Sequence, residues 1–148
     1  MSSAPPNGEN PPWKVVQAFM NTHIPFNQFL GVTMTDGGDG FVRLEQPFRE
    51  ELLGDVGRPA LHGGVISTLV DVAGGAAAFT RIDFEAGDRL STVDLRVDYL
   101  RPAGRASLVA DAEVVRMGNH VAMVRVKVSS EGVQVAEGVG VYSIRRGA

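Results

Sequence analysis

One stretch constrains this chain more than any other. Leu61–Thr80, LHGGVISTLVDVAGGAAAFT, is apolar almost throughout and carries a single formal charge, Asp71. A helix that is apolar all round cannot lie on a surface and must be covered on most sides. A curved sheet wrapped around it would do that, and the small side chains of AGGAAA would let the sheet approach the helix backbone closely. The carboxylate is the anomaly. An unpaired ionised Asp in a dry core costs several kcal/mol, so Asp71 must be paired, hydrated or at the edge of a cavity. A structural reading pairs it with the hydroxyl of Thr68 or Thr92, or with a strand arginine. A functional reading makes it a reactive carboxylate.

The segments around the helix define the rest of the domain. Residues 1–12, MSSAPPNGENPP, read as a disordered tail, which leaves 13–148 as a single domain. WKVVQAFMNTHIP is predicted as a short helix with Val15, Val16, Phe19 and Met20 on one face, ended by Pro25. FLGVTMTDGGDGFVRLEQPF gives two extended segments around Asp36–Gly40. A polar loop, REELLGDVGRPA, leads into His62. After the helix the period changes from helical to alternating. In LSTVDLRVDYLRP, Val93, Leu95, Val97 and Tyr99 fall on one face and Thr92, Asp94, Arg96 and Asp98 on the other. SLVADAEVVRM, HVAMVRVKVSS and VQVAEGVGVYSI follow, separated by turns at Gly118-Asn119 and Glu131-Gly132. Four such segments predict an antiparallel meander with one solvated face, and the class is α+β.

Composition narrows the function. A net charge of −3 offers no electrostatic reason to bind nucleic acid or an anionic membrane. The chain has no cysteine, and its three histidines, His23, His62 and His120, are far apart in sequence, so no metal site is expected. No run has the length and apolarity of a membrane span, and no secretory signal is visible; a cytoplasmic protein is the expectation.

The His62-Gly63-Gly64 turn is the second candidate site. Two glycines at a helix entrance weaken the helix but leave backbone N–H groups bare. With the positive end of the helix dipole, those donors suit a polarised carbonyl or a developing oxyanion. The plainer alternative is a Gly-rich loop with His62 as a cap. Along one helix, Gly63 and Asp71 are about 12 Å apart at 1.5 Å rise per residue. One carbonyl cannot touch both. If they act together, Asp71 must meet the turn of another copy related by a two-fold axis, giving a homodimer with two composite sites.

LHGGVISTLVDVAGGAA, STVDLRVDYLRPA and VAEGVGVYSI together resemble the hotdog-fold acyl-CoA thioesterases of the phenylacetate-degradation (PaaI-like) type, over roughly Gly31–Ile144. The resemblance implies a hotdog fold, an antiparallel sheet around one central helix, with dimers joined edge to edge and often paired again into a homotetramer. It implies an acyl-CoA thioester substrate, with coenzyme A as part of the substrate and no further cofactor. In that family Asp71 would activate water or attack the thioester carbonyl, and the Gly63 N–H would polarise that carbonyl beside His62 and Gly64. Thr92 stands where related enzymes carry a hydroxyl that helps place the water. The turn Arg116, Gly118, Asn119 matches a region that contacts the nucleotide or pantetheine arm, and Val97, Asp98 and Tyr99 would run beside the pantetheine. One departure is clear: the family's Asn or Gln before His-Gly-Gly is missing, and Asp55 occupies the corresponding region. A carboxylate cannot donate a hydrogen bond unless protonated, so Asp55 either orients water or marks a specialised or binding-only member.

The chemistry is consistent with that resemblance. A thioester is an activated electrophile, and a carboxylate base with one or two oxyanion donors suffices without metal or triad. Val65, Leu69, Val72 and Phe79 are available to line an acyl tunnel. Two alternatives stay open at this stage: a hotdog dehydratase or hydratase using His62 with Asp71, and a non-catalytic acyl-CoA-binding protein.

Overall fold

Turn stereochemistry sets out most of the elements. The structure is a computed structural model describing residues 11–147; of the expected tail, residues 1–10 lie outside it, and Pro12 is already helical. In chain order the elements are α1 (Pro12–Thr22), α2 (Pro25–Leu30), β1 (Thr33–Gly38), β2 (Phe41–Gln46), β3 (Leu53–Asp55), β4 (Ala60–Leu61), α3 (Gly63–Phe79), β5 (Arg89–Tyr99), β6 (Leu108–Met117), β7 (Val121–Ser130) and β8 (Val133–Arg145). The β7–β8 hairpin turns through Glu131 and Gly132, both at positive φ (52° and 76°), the stereochemistry that matches strand twist in tight hairpins.

Two expectations about local structure are corrected. Phe29 and Leu30 do not begin an extended segment but end α2. Pro25 pre-sets the first helical φ, and Gly31 at φ 79° closes the helix in the left-handed conformation. The helix is held by Gln46, a buried residue whose amide donates to the Leu30 carbonyl at 2.6 Å, and by the buried Asn27. Of the four α1 side chains expected on one face, Val16 and Met20 are buried in the core, Phe19 is half-buried and Val15 is 58% exposed.

The large sheet has six strands in the order β1-β2-β6-β7-β8-β5, every neighbouring pair antiparallel. The meander therefore holds only for β6 to β8. β5 pairs with β8 at the far edge and β2 takes the place beside β6. Alternation specifies which face of a strand is buried but carries no information about its neighbour.

Helix α3 lies across this sheet. Ile66, Leu69, Val70, Ala73, Ala76 and Ala77 are buried in it, against Val42, Leu44, Ala110, Val124, Val126 and Ala136 from the strands. The opposite flank, Thr68, Asp71, Val72, Gly75 and Phe79, is only half-buried. No residue of α3 is exposed, so the sheet, with α1 and α2 beside it, covers the helix as its apolar sequence predicts, and only this flank is left half-buried. None of the described helices is long and apolar enough to cross a membrane.

Candidate active site

The helix entrance is organised by its own first residues. His62 is the N-cap, extended at ψ 134°, and its Nδ1 accepts the Gly64 N–H at 2.8 Å. As an acceptor at Nδ1, the neutral ring carries its proton on Nε2. The Val65 N–H donates to the His62 carbonyl at 2.9 Å, and the His62 N–H donates to the Leu52 carbonyl at 2.8 Å. The expectation of two bare donors is therefore corrected. The Gly64 N–H is satisfied by the imidazole, whereas the Gly63 N–H meets no acceptor among the described residues. Tyr99 closes over this turn, its hydroxyl donating to the Gly63 carbonyl at 2.8 Å. Both glycines have a steric reason as well. A Cβ at Gly63 would stand 3.3 Å from the Tyr99 ring, and one at Gly64 2.9 Å from His62 Nδ1.

Two turns further along α3, Asp71 is half-buried at the edge of a pocket, not sealed in a core. Thr92 Oγ1 donates to its Oδ1 at 2.8 Å. Thr68, the other hydroxyl considered, instead donates to the Gly64 carbonyl at 2.7 Å. Thr92 reaches Asp71 because β5 is bulged. Thr92 pairs with Tyr142, and the next pair is Asp94 with Val141, which leaves Val93 as the extra residue. The bulge shifts the alternation by one, so Thr92 shares the helix-facing side with Leu95 and Val97, whose partners are Gly140 and Gly138. Strict alternation had placed Thr92 on the polar face, and Val93 is 61% exposed instead.

Tyr142 completes the back of the site and was not singled out from the sequence. Its hydroxyl donates to the Asp71 backbone carbonyl at 3.0 Å. Burial, then the neighbouring Asp71 charge, pushes its pKa well above the ordinary tyrosine value and keeps it protonated. The ring fits only because Gly74 and Gly140 have no side chains; a Cβ at either would run into the Tyr142 hydroxyl. Paired small residues on α3 and β8, with one tyrosine two residues beyond Gly140, were the signal available in the sequence.

The pocket beside Asp71 has a volume of about 210 Å³, and Met20, Ile24, Phe26, Val72, Phe79 and Leu90 make its walls apolar. A second pocket of about 250 Å³ lies at the helix entrance, against His62, Gly64, Val65 and Thr68. Of the four side chains expected to line an acyl tunnel, Val72 and Phe79 do so beside Asp71 and Val65 lines the second pocket. Leu69 is wholly buried in the core. The contributions of α1 and α2 were not legible, since these helices touch α3 only through tertiary packing.

The remaining candidates fall elsewhere. The Asp55 carboxylate is turned into its own loop, accepting the N–H of Gly57 at 2.9 Å and of Arg58 at 3.2 Å, and lines neither pocket. Asp98 pairs with Arg96 at 3.3 Å. Arg116 is exposed on β6, and the β6–β7 turn with Gly118 and Asn119 is tied to the C-terminal segment by Arg146, whose Nε donates to the Asn119 carbonyl at 2.8 Å. That turn is at the same end of the sheet as Thr92, because Ala122 and Thr92 both pair with Tyr142. Among the described residues no cluster of His, Asp or Glu is placed to hold a metal ion.

The model of the thioesterase superfamily matches residues 59–137, more than half of the chain. A Halobacterium salinarum protein provisionally named an esterase is 36% identical over 140 residues, covering 89% of this chain and 91% of that one. The Escherichia coli medium/long-chain acyl-CoA thioesterase YigI is 32% identical over 143 residues, 88% of this chain and 92% of its own. A solved protein from Shewanella oneidensis, related to the thioesterase superfamily, superposes with a TM-score of 0.77 at 32% identity, covering 91% of this chain and 99% of that one. The chain belongs to the thioesterase superfamily and has its hotdog fold.

Proposed function

We propose that this protein is an acyl-CoA thioesterase of the PaaI-like type, hydrolysing an acyl- or aryl-CoA to free acid and coenzyme A. The observation that carries the reading is Asp71 at the mouth of an apolar pocket, with its carboxylate held by Thr92. The acyl group enters the pocket and the thioester carbonyl stops beside the carboxylate. Asp71 takes a proton from water as the water oxygen attacks the carbonyl carbon. Negative charge gathers on the carbonyl oxygen, where a preorganised N–H donor stabilises it. Collapse of the tetrahedral species breaks the C–S bond, and coenzyme A leaves as thiolate, taking up the proton. Direct attack by Asp71, followed by hydrolysis of the anhydride, uses the same groups.

The donor is the Gly63 N–H of a second copy. Gly63 and Asp71 of one chain are about 12 Å apart along α3, too far for one carbonyl, and the half-buried flank of α3 carries both. The working unit is then a homodimer with two composite sites, and the dimer pairs again into a tetramer. Arg116, Gly118 and Asn119 at the β6–β7 turn and Val97, Asp98 and Tyr99 on β5 receive the coenzyme A arm. Its setting is the cytoplasm.

Release of free thiol from a panel of acyl-CoAs by wild type and Asp71→Asn tests the reading. Asparagine keeps the shape and still accepts from Thr92 but is no base. Turnover that falls at least about a hundredfold in a folded variant is expected. Equal turnover in both proteins would remove Asp71 from the chemistry.

A further inference from the structure

Phe26 is a large apolar side chain with little to gain from its position. It is 54% exposed on α2, a two-turn helix that the rest of the fold holds firmly. Gln46 clamps its last carbonyl, and the Asn27 amide donates to the Met20 carbonyl at 3.4 Å. The Arg49 guanidinium lies 5.5 Å from the centre of the neighbouring Phe29 ring. The backbone that carries Phe26 is thus held in place while its ring is left more than half exposed.

Phe26 lines both pockets described above, the one beside Asp71 and the one beside His62. On α3 these pockets are about one turn apart, Thr68 facing one and Asp71 and Val72 the other. The ring therefore stands as a partition across what would otherwise be one trough along the flank of the helix. The compartment left to the Asp71 site, about 210 Å³, is modestly larger than the roughly 150 Å³ apolar cavity that takes up a benzene molecule in another protein. That is room for a short acyl chain or a single aryl ring on the Asp71 side of the Phe26 ring.

We infer that Phe26 is a specificity-determining residue that ends the acyl compartment and restricts the substrate to short-chain or aryl thioesters. This rests on the thioesterase reading above. In a hydrophobic pocket each methylene gained or lost changes discrimination by roughly tenfold or more, so one ring at the end of the compartment is enough to set the chain length.

The test compares hexanoyl-CoA and dodecanoyl-CoA hydrolysis by wild type, Phe26→Ala and Phe26→Trp. Because the ring is more than half exposed, its truncation leaves no buried void. Wild type should favour hexanoyl-CoA in kcat/KM. Phe26→Ala should raise the dodecanoyl-to-hexanoyl ratio by about tenfold or more, mainly through KM, and Phe26→Trp should lower it. A wild type that favours dodecanoyl-CoA, or a ratio unchanged across the three proteins, overturns the partition. Binding of the non-hydrolysable thioether S-dodecyl-coenzyme A separates the two claims. If wild type releases thiol from no acyl-CoA, the thioesterase reading fails. The partition then stands or falls on whether Phe26→Ala binds the thioether at least about tenfold more tightly than wild type.

Discussion

Replacing Gly63 by proline deletes the N–H proposed as the oxyanion donor and changes little else. Gly63 is the first residue of α3, where proline is tolerated because its missing N–H has no intrahelical partner. The residue before a proline must be extended, and His62 already is, at ψ 134°. The His62 cap on the Gly64 N–H remains. An added Cβ would stand 3.3 Å from the Tyr99 ring, a few tenths of an ångström tighter than ordinary contact. The folded protein should therefore persist, with kcat for thioester hydrolysis down about 10²–10³-fold, the effect of losing one oxyanion donor. Symmetry then supplies a second number. Gly63→Pro and Asp71→Asn protomers, each inactive alone, are denatured and refolded together in equal amounts. Half the dimers are mixed, and each mixed dimer has one site with both groups intact, so about a quarter of wild-type activity should return. A folded Gly63→Pro protein with wild-type kcat refutes the donor. A mixture that stays inactive refutes the composite site.

Three other substitutions report on the supporting structure. Thr92→Val keeps the β-branched shape and removes the donor to Asp71; kcat should fall roughly 5- to 30-fold, for about 1–2 kcal/mol, and not at all in an Asp71→Asn background. Equal losses in both backgrounds would mean that Thr92 does not act through Asp71. Gly74→Ala drives a methyl into the Tyr142 hydroxyl and should cost about 1–3 kcal/mol in thermal or denaturant melts, part of which Tyr142→Phe should restore by removing the clashing oxygen. Asp88 accepts the N–H groups of Gly147 and Asp83, and with Arg146 these hold its carboxyl below the ordinary carboxylate range. A depressed pKa stabilises the fold above the unfolded value, about 4, and this is lost as pH falls through the folded value. The Tm gap between wild type and Asp88→Asn should be open at neutral pH and close in acid; a gap independent of pH excludes the linkage.

Thr92 illustrates where sequence reading ends. Its hydroxyl was legible as a partner for Asp71, but period-2 alternation put it on the wrong face, because a bulge inserts Val93 and shifts the phase. Nothing in STVDLRV marks that insertion; it follows from pairing with β8 across a gap of some fifty residues. Helix α2 failed for a different reason. Its signals, Pro25 at the start and Gly31 at the end, were present, but six residues are too few for helical periodicity to register. Tyr142 was invisible as a site residue because its role depends on the space left by Gly74 and Gly140, residues far apart in sequence.

The sequence by itself determined the long helix, the four C-terminal strands and the turns between them, since periodicity and turn stereochemistry act over a few residues. It also singled out Asp71 and the His-Gly-Gly entrance, since a lone charge and paired glycines are anomalies in an apolar run. Tertiary structure alone decided the sheet order, which flank of α3 is left half-buried, the use of the Gly64 N–H by His62 and the position of Phe26 between two pockets. Each of these is a contact or a space shared by segments distant in the chain, which no local pattern encodes.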